Sequence, residues 1–154
     1  RGEVVSLESK NIFMHNNTML VQGKGEKERL VPFGEETKRY INRYSHMRNE
    51  YEKRFFQRED GTPITDNTIK MYFQDLKEST GIIRLHPHLL RHTFATNYIL
   101  YGGDVEELRI LLGHTSLQMT MKYVHLATQQ RILNQRYHSH IDKLFCQYDN
   151  KLAQ

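Results

Sequence analysis

Two histidines, an arginine and a tyrosine occur at short spacings in the second half of the chain, and these spacings constrain the fold most strongly. His88 and Arg91 lie three residues apart, so on a helix their side chains project from one turn. His114 directly follows Gly113, a residue suited to the left-handed end of a helix. Tyr123 comes nine residues after His114. The pattern predicts a helix, a Gly-His turn and a further helix that carries the tyrosine.

These residue types can attack a phosphodiester together without a metal ion. A phenol has a pKa of about 10, so it needs a neighbouring base and an electropositive phosphate pocket before it reacts at neutral pH. His88 is the candidate proton-transfer partner of Tyr123. The planar guanidinium of Arg91 can donate two parallel hydrogen bonds to the non-bridging oxygens, and His114 is an additional donor.

Helical periodicity surrounds this motif. The segment after Pro87 is predicted to bury one stripe, made of Leu90, Phe94, Tyr98 and Tyr101. A shorter amphipathic helix follows, with Val105, Leu108, Leu111 and Leu112 on its apolar face. Thr115 and Gln118 have capping-box spacing and are predicted to start the helix that carries Tyr123.

The first half of the chain predicts a small sheet and two further helices. Short apolar runs separated by turn-rich segments indicate three antiparallel strands at about 11–33. The residues from Glu35 to about Phe56 have helical spacing. A second helix is capped by Thr65 or Asp66 and ends at Thr80-Gly81.

Composition is compatible with an ordinary globular protein of about one domain. The chain has 154 residues, and Lys plus Arg exceed Asp plus Glu by 22 − 18 = 4, which makes a polyanionic partner plausible. No apolar run is long enough to span a bilayer, and no signal-peptide pattern opens the chain, so a cytoplasmic protein without a membrane partner is expected. The single Cys146 has no intramolecular disulfide partner.

Other readings of the histidines and tyrosines are weaker. His88 and His92 have the spacing of two zinc ligands on a helix, and His86 or His114 could supply a third. However, no carboxylate lies between them as in a metalloprotease, and an arginine beside the site would repel the ion. No metal and no cofactor are therefore predicted, and His92 is expected to be a hydrogen-bonded structural residue. Tyr137 is a distant second candidate for the nucleophile.

The order His-x-x-Arg, Leu-Gly-His and then a tyrosine closely resembles the signature of the tyrosine recombinase, or phage integrase, family. The resemblance extends from Glu3 to about Tyr123. It implies an α+β fold, mostly α-helical with a small three-stranded antiparallel sheet near the N-terminus. We expect a single catalytic domain over 1–154, with the sheet at about 11–33, helices at about 35–126 and a tail helix at 128–154.

The resemblance also implies a function and further site residues. Members of this family cut and rejoin DNA through a 3′-phosphotyrosine link, as integrases and site-specific recombinases, without ATP. The run Gly-Lys-Gly-Glu-Lys-Glu-Arg looks like the hairpin that carries the family's catalytic lysine, so Lys24 is the candidate general acid for the leaving 5′-oxygen. Double-stranded DNA is the expected partner, contacted by Lys24, Lys27, Arg29 and Arg84.

Features of both ends of the chain lead to further expectations. The opening Arg1–Leu7 looks like the interior of an amphipathic helix, which predicts a fragment without the family's N-terminal DNA-binding domain. Glu3 fits the acidic position of the family's Arg-x-x-Glu/Asp helix, which puts the first catalytic arginine one residue before Arg1, unless the register is off by one. Such a fragment is expected to cleave DNA weakly or not at all. The tail helix either docks into a neighbouring protomer of a homotetramer on paired sites or packs on its own domain.

Two alternatives use the same fold differently. A type IB topoisomerase-like enzyme nicks and closes DNA with the same constellation, but it relaxes supercoils as a monomer. A non-catalytic DNA-binding module would retain the fold without the chemistry. Trapping of a covalent DNA adduct separates an enzyme from a binder, and plasmid relaxation without strand exchange favours the topoisomerase.

Overall fold

The computed structural model describes residues 2–23, 25 and 27–135, and these residues form two compact units. The first unit contains the described residues up to Leu90 together with Ile110–Gly113. The second contains Arg91–Arg109 and the described residues from His114 onward. The elements in chain order are α1 (Gly2–Ser6), a 3-10 helix (Ser9–Asn11), β1 (Ile12–Phe13), β2 (Thr18–Gln22), β3 (Glu28–Pro32), α2 (Glu35–Ser45), α3 (Asp66–Thr80), α4 (Pro87–Leu100), α5 (Val105–Leu112) and α6 (Gln118–Gln135).

The three strands form one antiparallel sheet in the order β1-β2-β3, which confirms the prediction from the apolar runs. β2 pairs along its whole length with β3, from Thr18 opposite Pro32 to Gln22 opposite Glu28. Side chains of β3 alternate between exposed and half-buried, as expected for a strand with one covered face. The hydrophobic core of this unit consists of Leu7, Val21, Ile41 and Phe55, with partly buried apolar side chains packed around them.

α2 is shorter than its sequence pattern predicts. The helix ends at Ser45, and the segment that follows is irregular, so the expected extension to about Phe56 is wrong. In this segment Arg48 donates hydrogen bonds to the backbone carbonyls of Glu52, Arg54 and Phe55, which fold the chain back. The buried Phe55 ring then meets Tyr44 of α2 edge-on at 5.3 Å between centroids. The spacing of apolar residues carries no information about these hydrogen bonds from the Arg48 side chain.

The ends of α3 follow their local signals. The Thr65 hydroxyl accepts from the backbone N–H of Thr68, and the Thr68 hydroxyl accepts from the N–H of Thr65, which completes a capping box. Gly81 adopts a left-handed conformation with φ of 70° after the last helical residue. Both predicted boundaries of this helix are confirmed.

α4 buries a different face from the one predicted. Leu90 and Phe94 are 55% and 50% exposed, and Tyr101 is 88% exposed. The buried residues of α4 are instead Ala95, Thr96 and Ile99. The chain also packs closely after the helix, where a Cβ on Gly103 would lie 2.2 Å from the Tyr98 ring.

α5 begins with a side-chain cap and buries the side chain of Leu108. The Asp104 carboxylate accepts from the backbone N–H groups of Glu106 and Glu107 at 2.8 and 2.9 Å. Leu108 is fully buried. Tyr98 donates its hydroxyl proton to Glu107 at 2.7 Å, and this hydrogen bond, together with burial, raises the pKa of Tyr98 above its ordinary value.

α6 begins later and continues further than expected. It starts at Gln118, and the Thr115 hydroxyl contacts the Met119 sulfur at 3.7 Å, so the predicted start at Thr115 is wrong. The helix continues without a break through Gln135, and the predicted tail beyond that residue lies outside the described part of the chain. Arg131 donates from Nη2 to the carbonyls of Ile99 and Leu100 at 2.6 and 2.9 Å. Neither α6 nor any other helix within 2–135 is long and apolar enough to cross a membrane.

Candidate active site

The four residues of the sequence motif lie on α4, on the turn after α5 and on α6. His88 and Arg91 belong to one continuous helix, three residues apart. His114 lies in the turn between α5 and α6, and Tyr123 lies in the second turn of α6. Arg91, His114 and Tyr123 belong to the second unit, whereas His88 belongs to the first. The predicted order of helix, Gly-His turn and helix with the tyrosine is confirmed as local structure.

The backbone before His114 is fixed by a complete helix-ending motif. Gly113 is left-handed with φ of 67°, and its N–H donates to the carbonyl of Ile110 at 2.9 Å. The N–H of His114 reaches back to the carbonyl of Arg109 at 3.0 Å, which together form a Schellman motif. The Arg109 side chain also donates to the His114 carbonyl at 2.9 Å. Hydrogen bonds from Arg109 to Glu106 hold the pKa of that carboxyl below its usual value.

Arg29 of β3 packs against the same turn. Its Nη1 and Nη2 donate to the two carboxylate oxygens of Glu3 at 2.8 and 3.0 Å, and its Nε donates to the carbonyl of Leu111 at 2.8 Å. The Arg29 side chain is only 13% exposed. Three of its five N–H groups are thus used within the protein, and the predicted contact of Arg29 with DNA stays a prediction. The guanidinium ties α1 and β3 to the end of α5.

The other predicted DNA contacts are distributed differently. Lys27, next to the start of β3, and Arg84, before α4, are both exposed. Lys24, the candidate general acid, lies outside the described residues. Its role and those of Lys27 and Arg84 stay predictions.

The Tyr123 ring contacts two imidazole rings and one ammonium group. Tyr123 is only 1% exposed. The His114 ring lies nearly parallel to it, with 6.3 Å between centroids and an interplanar angle of 8°. The His92 ring lies 5.5 Å away at 48°, and the Lys122 ammonium is 5.0 Å from the Tyr123 centroid. The structure therefore brings Tyr123 and His114 together, in a conformation that shields the phenol from solvent.

Sequence reasoning missed Thr120 altogether. Thr120 lies in the first turn of α6, is fully buried and is within hydrogen-bonding distance of His114, with 2.8 Å between its Oγ1 and Nδ1. It lies three residues before Tyr123, so spacing on the helix was the available signal. His92 was taken as a structural residue, and its ring contact with Tyr123 could not be read from spacing.

The histidines near the start of α4 contact the helix backbone and each other. His86 accepts a hydrogen bond at Nδ1 from the backbone N–H of Leu89 at 3.1 Å and so caps the start of α4. The rings of His86 and His88 meet edge-on at 6.4 Å. Within the described ranges, no group of three His, Cys, Asp or Glu side chains is arranged to hold a metal ion.

The fold is that of the tyrosine recombinases, and comparison with known proteins gives the family. Residues 1–130 match the model of the phage integrase family, so the chain belongs to that family. It is 35% identical over 134 residues to tyrosine recombinase XerC of Staphylococcus haemolyticus, a match that covers 84% of this chain and 45% of that protein. The chain thus spans about half the length of the curated relatives it matches.

Solved structures agree with this assignment. The crystal structure of XerA recombinase superposes with a TM-score of 0.75 at 29% identity, covering 88% of this chain and 52% of that one. XerH site-specific recombinase, bound to its palindromic difH substrate, gives a TM-score of 0.71 at 22% identity. That match covers 92% of this chain and 41% of the XerH chain. The second likeness supports the fold alone.

The close approach of Arg29 to Gly113 predicts a difference between two glycine substitutions. Gly81→Ala places a Cβ in open space at φ of 70°. Its free energy of unfolding should fall only by the cost of a left-handed alanine, about 1 to 2 kcal/mol. Gly113→Ala adds a Cβ 3.1 Å from Arg29 Nη1 at a similar φ, so it should lose more free energy of unfolding. Urea denaturation of both variants measures the difference. Equal losses would show that the guanidinium yields without cost.

The partly buried ion pair between Arg29 and Glu3 predicts that Arg29 contributes to the free energy of unfolding and that Lys27 does not. Arg29→Met removes three hydrogen bonds and leaves the Glu3 carboxylate half-buried, which should lower the free energy of unfolding by about 2 to 3 kcal/mol. Lys27→Met, at an exposed position two residues away, is the matched control and should change it by less than about 0.5 kcal/mol. Thermal or urea unfolding of both variants measures the two changes in the free energy of unfolding. An Arg29→Met protein as stable as the unmodified one would contradict this prediction.

Proposed function

We propose that this chain supplies the catalytic part of a site-specific DNA recombinase or integrase, which cuts and rejoins DNA strands through a 3′-phosphotyrosine. The observation that carries the proposal is the parallel placement of the His114 ring beside Tyr123 in the unit that also contains Arg91. Membership of the phage integrase family and likeness to proteins named tyrosine recombinase support it. Because the chain spans about half of those relatives, the activity is proposed for the whole protein that contains it.

The first step is attack of the Tyr123 phenol oxygen on a phosphorus atom of the DNA backbone. Since a phenol is largely protonated at neutral pH, its proton has to pass to a base as the new bond forms. His88 is the proposed acceptor. It is exposed on the first turn of α4, where a DNA backbone can approach it.

Negative charge then develops on the non-bridging phosphate oxygens. Arg91 is the proposed bidentate donor to these oxygens, because its planar guanidinium matches two of them at once. His114 donates a further hydrogen bond. Donors that are held in place before the reaction stabilise such charge most effectively, and the turn that carries His114 is fixed by the Schellman motif and by Arg109.

The phosphorus–oxygen bond to the 5′-oxygen breaks last. This oxygen leaves as a hydroxyl if Lys24 donates a proton to it. The products are a 3′-phosphotyrosine and a free 5′-hydroxyl. Attack by a 5′-hydroxyl on the phosphotyrosine reverses the same steps, so rejoining needs no nucleotide cofactor.

The buried phenol implies a conformational step before cleavage. With Tyr123 only 1% exposed, a phosphodiester cannot reach its oxygen in this conformation. The Tyr123 side chain has to become exposed first, which requires a rearrangement of the side chains that pack around its ring. We propose that binding of double-stranded DNA, through exposed cations such as Lys27 and Arg84, and assembly of a tetramer on paired sites favour the open state.

Replacement of the nucleophile gives the most direct test. In the full-length protein, Tyr123→Phe should leave DNA binding nearly unchanged and abolish the covalent adduct on a nicked suicide substrate, because only the hydroxyl is lost. Tyr101→Phe, at an 88% exposed position, is the matched control and should form adduct normally. Denaturing gels detect the adduct, and mass spectrometry maps it. An adduct that survives in Tyr123→Phe, or one that maps to Tyr137, contradicts the assignment.

The same substrate tests the two alternatives. Absence of any adduct under conditions where the protein binds DNA would favour a non-catalytic binding module. Relaxation of a supercoiled plasmid without exchange between paired sites would favour a topoisomerase-like enzyme.

The leaving-group step predicts a chemical rescue of Lys24. Lys24→Ala should cleave ordinary DNA slowly, on the order of a hundredfold below the unmodified protein. It should recover most of the rate on DNA with a bridging 5′-phosphorothiolate, because sulfur leaves without a proton. Lys27→Ala, three residues further along the chain, is the matched control and should show no selective rescue. Equal impairment of Lys24→Ala on both substrates would assign Lys24 to phosphate binding instead.

A further inference from the structure

The Thr120 hydroxyl occupies an unusual place for a helical threonine. Threonines within helices commonly turn their hydroxyl toward a carbonyl of the preceding turn. Here Thr120 Oγ1 instead lies 2.8 Å from Nδ1 of His114, in a residue that is 0% exposed. The Thr120 backbone N–H is already satisfied by the Leu117 carbonyl at 2.8 Å. The hydroxyl is therefore directed at one ring nitrogen of a proposed catalytic residue.

The direction of this hydrogen bond follows from burial. A buried O–H group without an acceptor is costly, so the Thr120 proton needs a partner. Within the part of the chain that the structure describes, the acceptor at hydrogen-bonding distance is Nδ1 of His114. If Thr120 donates, Nδ1 carries no proton, and a neutral imidazole then carries its proton on Nε2.

We propose that Thr120 is a positioning residue that holds His114 in the tautomer with its proton on Nε2. This inference rests on the proposed function, in which His114 donates a hydrogen bond to a non-bridging phosphate oxygen. A ring anchored through Nδ1 turns its Nε2–H away from Thr120, and the parallel Tyr123 ring at 6.3 Å limits rotation of the imidazole. In the opposite tautomer, Nε2 would accept a hydrogen bond and would repel a phosphate oxygen.

The tautomer can be measured without any assay of activity. In ¹⁵N-labelled protein, two-bond proton–nitrogen correlations distinguish a protonated ring nitrogen from an unprotonated one. Above the pH at which His114 loses its charge, the unmodified protein should show an unprotonated Nδ1 and a protonated Nε2. The opposite assignment would overturn the proposal directly, whatever any variant does.

Two substitutions then test the hydroxyl itself. Thr120→Val keeps the branched shape and removes the donor, so the His114 signals should shift toward a mixture of tautomers. Thr120→Ser keeps the donor and should retain the Nε2–H form. Thr96→Val, at another buried helical threonine of the same unit, is the matched control and should leave the His114 signals unchanged. Thermal unfolding of each variant checks that it folds.

Cleavage by the full-length protein completes the test. Thr120→Val should cleave a suicide substrate more slowly by at least about tenfold, while Thr120→Ser stays close to the unmodified protein. If the unmodified protein forms no covalent adduct, the proposed function fails while the tautomer measurement stands. If it cleaves DNA and Thr120→Val matches it in both tautomer and rate, the role of Thr120 is refuted and the recombinase proposal is untouched.

Discussion

The Arg29 guanidinium joins three segments that are far apart along the chain, and the region around the Gly-His turn depends on it. It holds Glu3 of α1 through two parallel hydrogen bonds and the end of α5 through the Leu111 carbonyl. Removing a charge from water is costly, so this arrangement persists only because each nitrogen has an acceptor in good geometry. A Cβ at position 113 would lie 3.1 Å from Arg29 Nη1, so a side chain there requires the guanidinium to shift. The residue after this clamp is His114.

Local signals in the sequence predicted local structure well. Gly81 and Gly113 each follow the end of a helix as expected, because glycine adopts the left-handed conformation without steric cost. The three strands and the helix cap at Thr65 were also predicted, because their signals lie in neighbouring residues of the sequence. The errors arose where distant parts of the chain decide. The segment after α2 is folded back by hydrogen bonds from Arg48 to backbone carbonyls, and the buried face of α4 depends on which of its residues other parts of the chain cover.

The candidate site, like the fold, was predicted from the sequence only in part. The sequence could identify the residue types and spacings that suit phosphoryl transfer, because chemistry restricts them. It could not predict that Tyr123 is shielded from solvent, that His92 lies against its ring, or that Thr120 anchors His114. Each of these depends on how α4 and the turn before α6 pack within the second unit. The sequence also could not predict that Arg29 forms an ion pair with Glu3 inside the protein.

The two parts of α6 are held by different contacts. The Arg131 guanidinium ties the later turns to the carbonyl end of α4, while Thr120 in the first turn contacts the His114 side chain. The first two turns also carry the fully buried Thr120 and Tyr123, whereas residues 128–134 are exposed. Opening of the early turns would therefore expose buried side chains and cost more free energy than opening of the later turns. In hydrogen exchange, the segment that carries Tyr123 would behave as part of the stable body of its unit, and the later turns as a separate segment that opens more often.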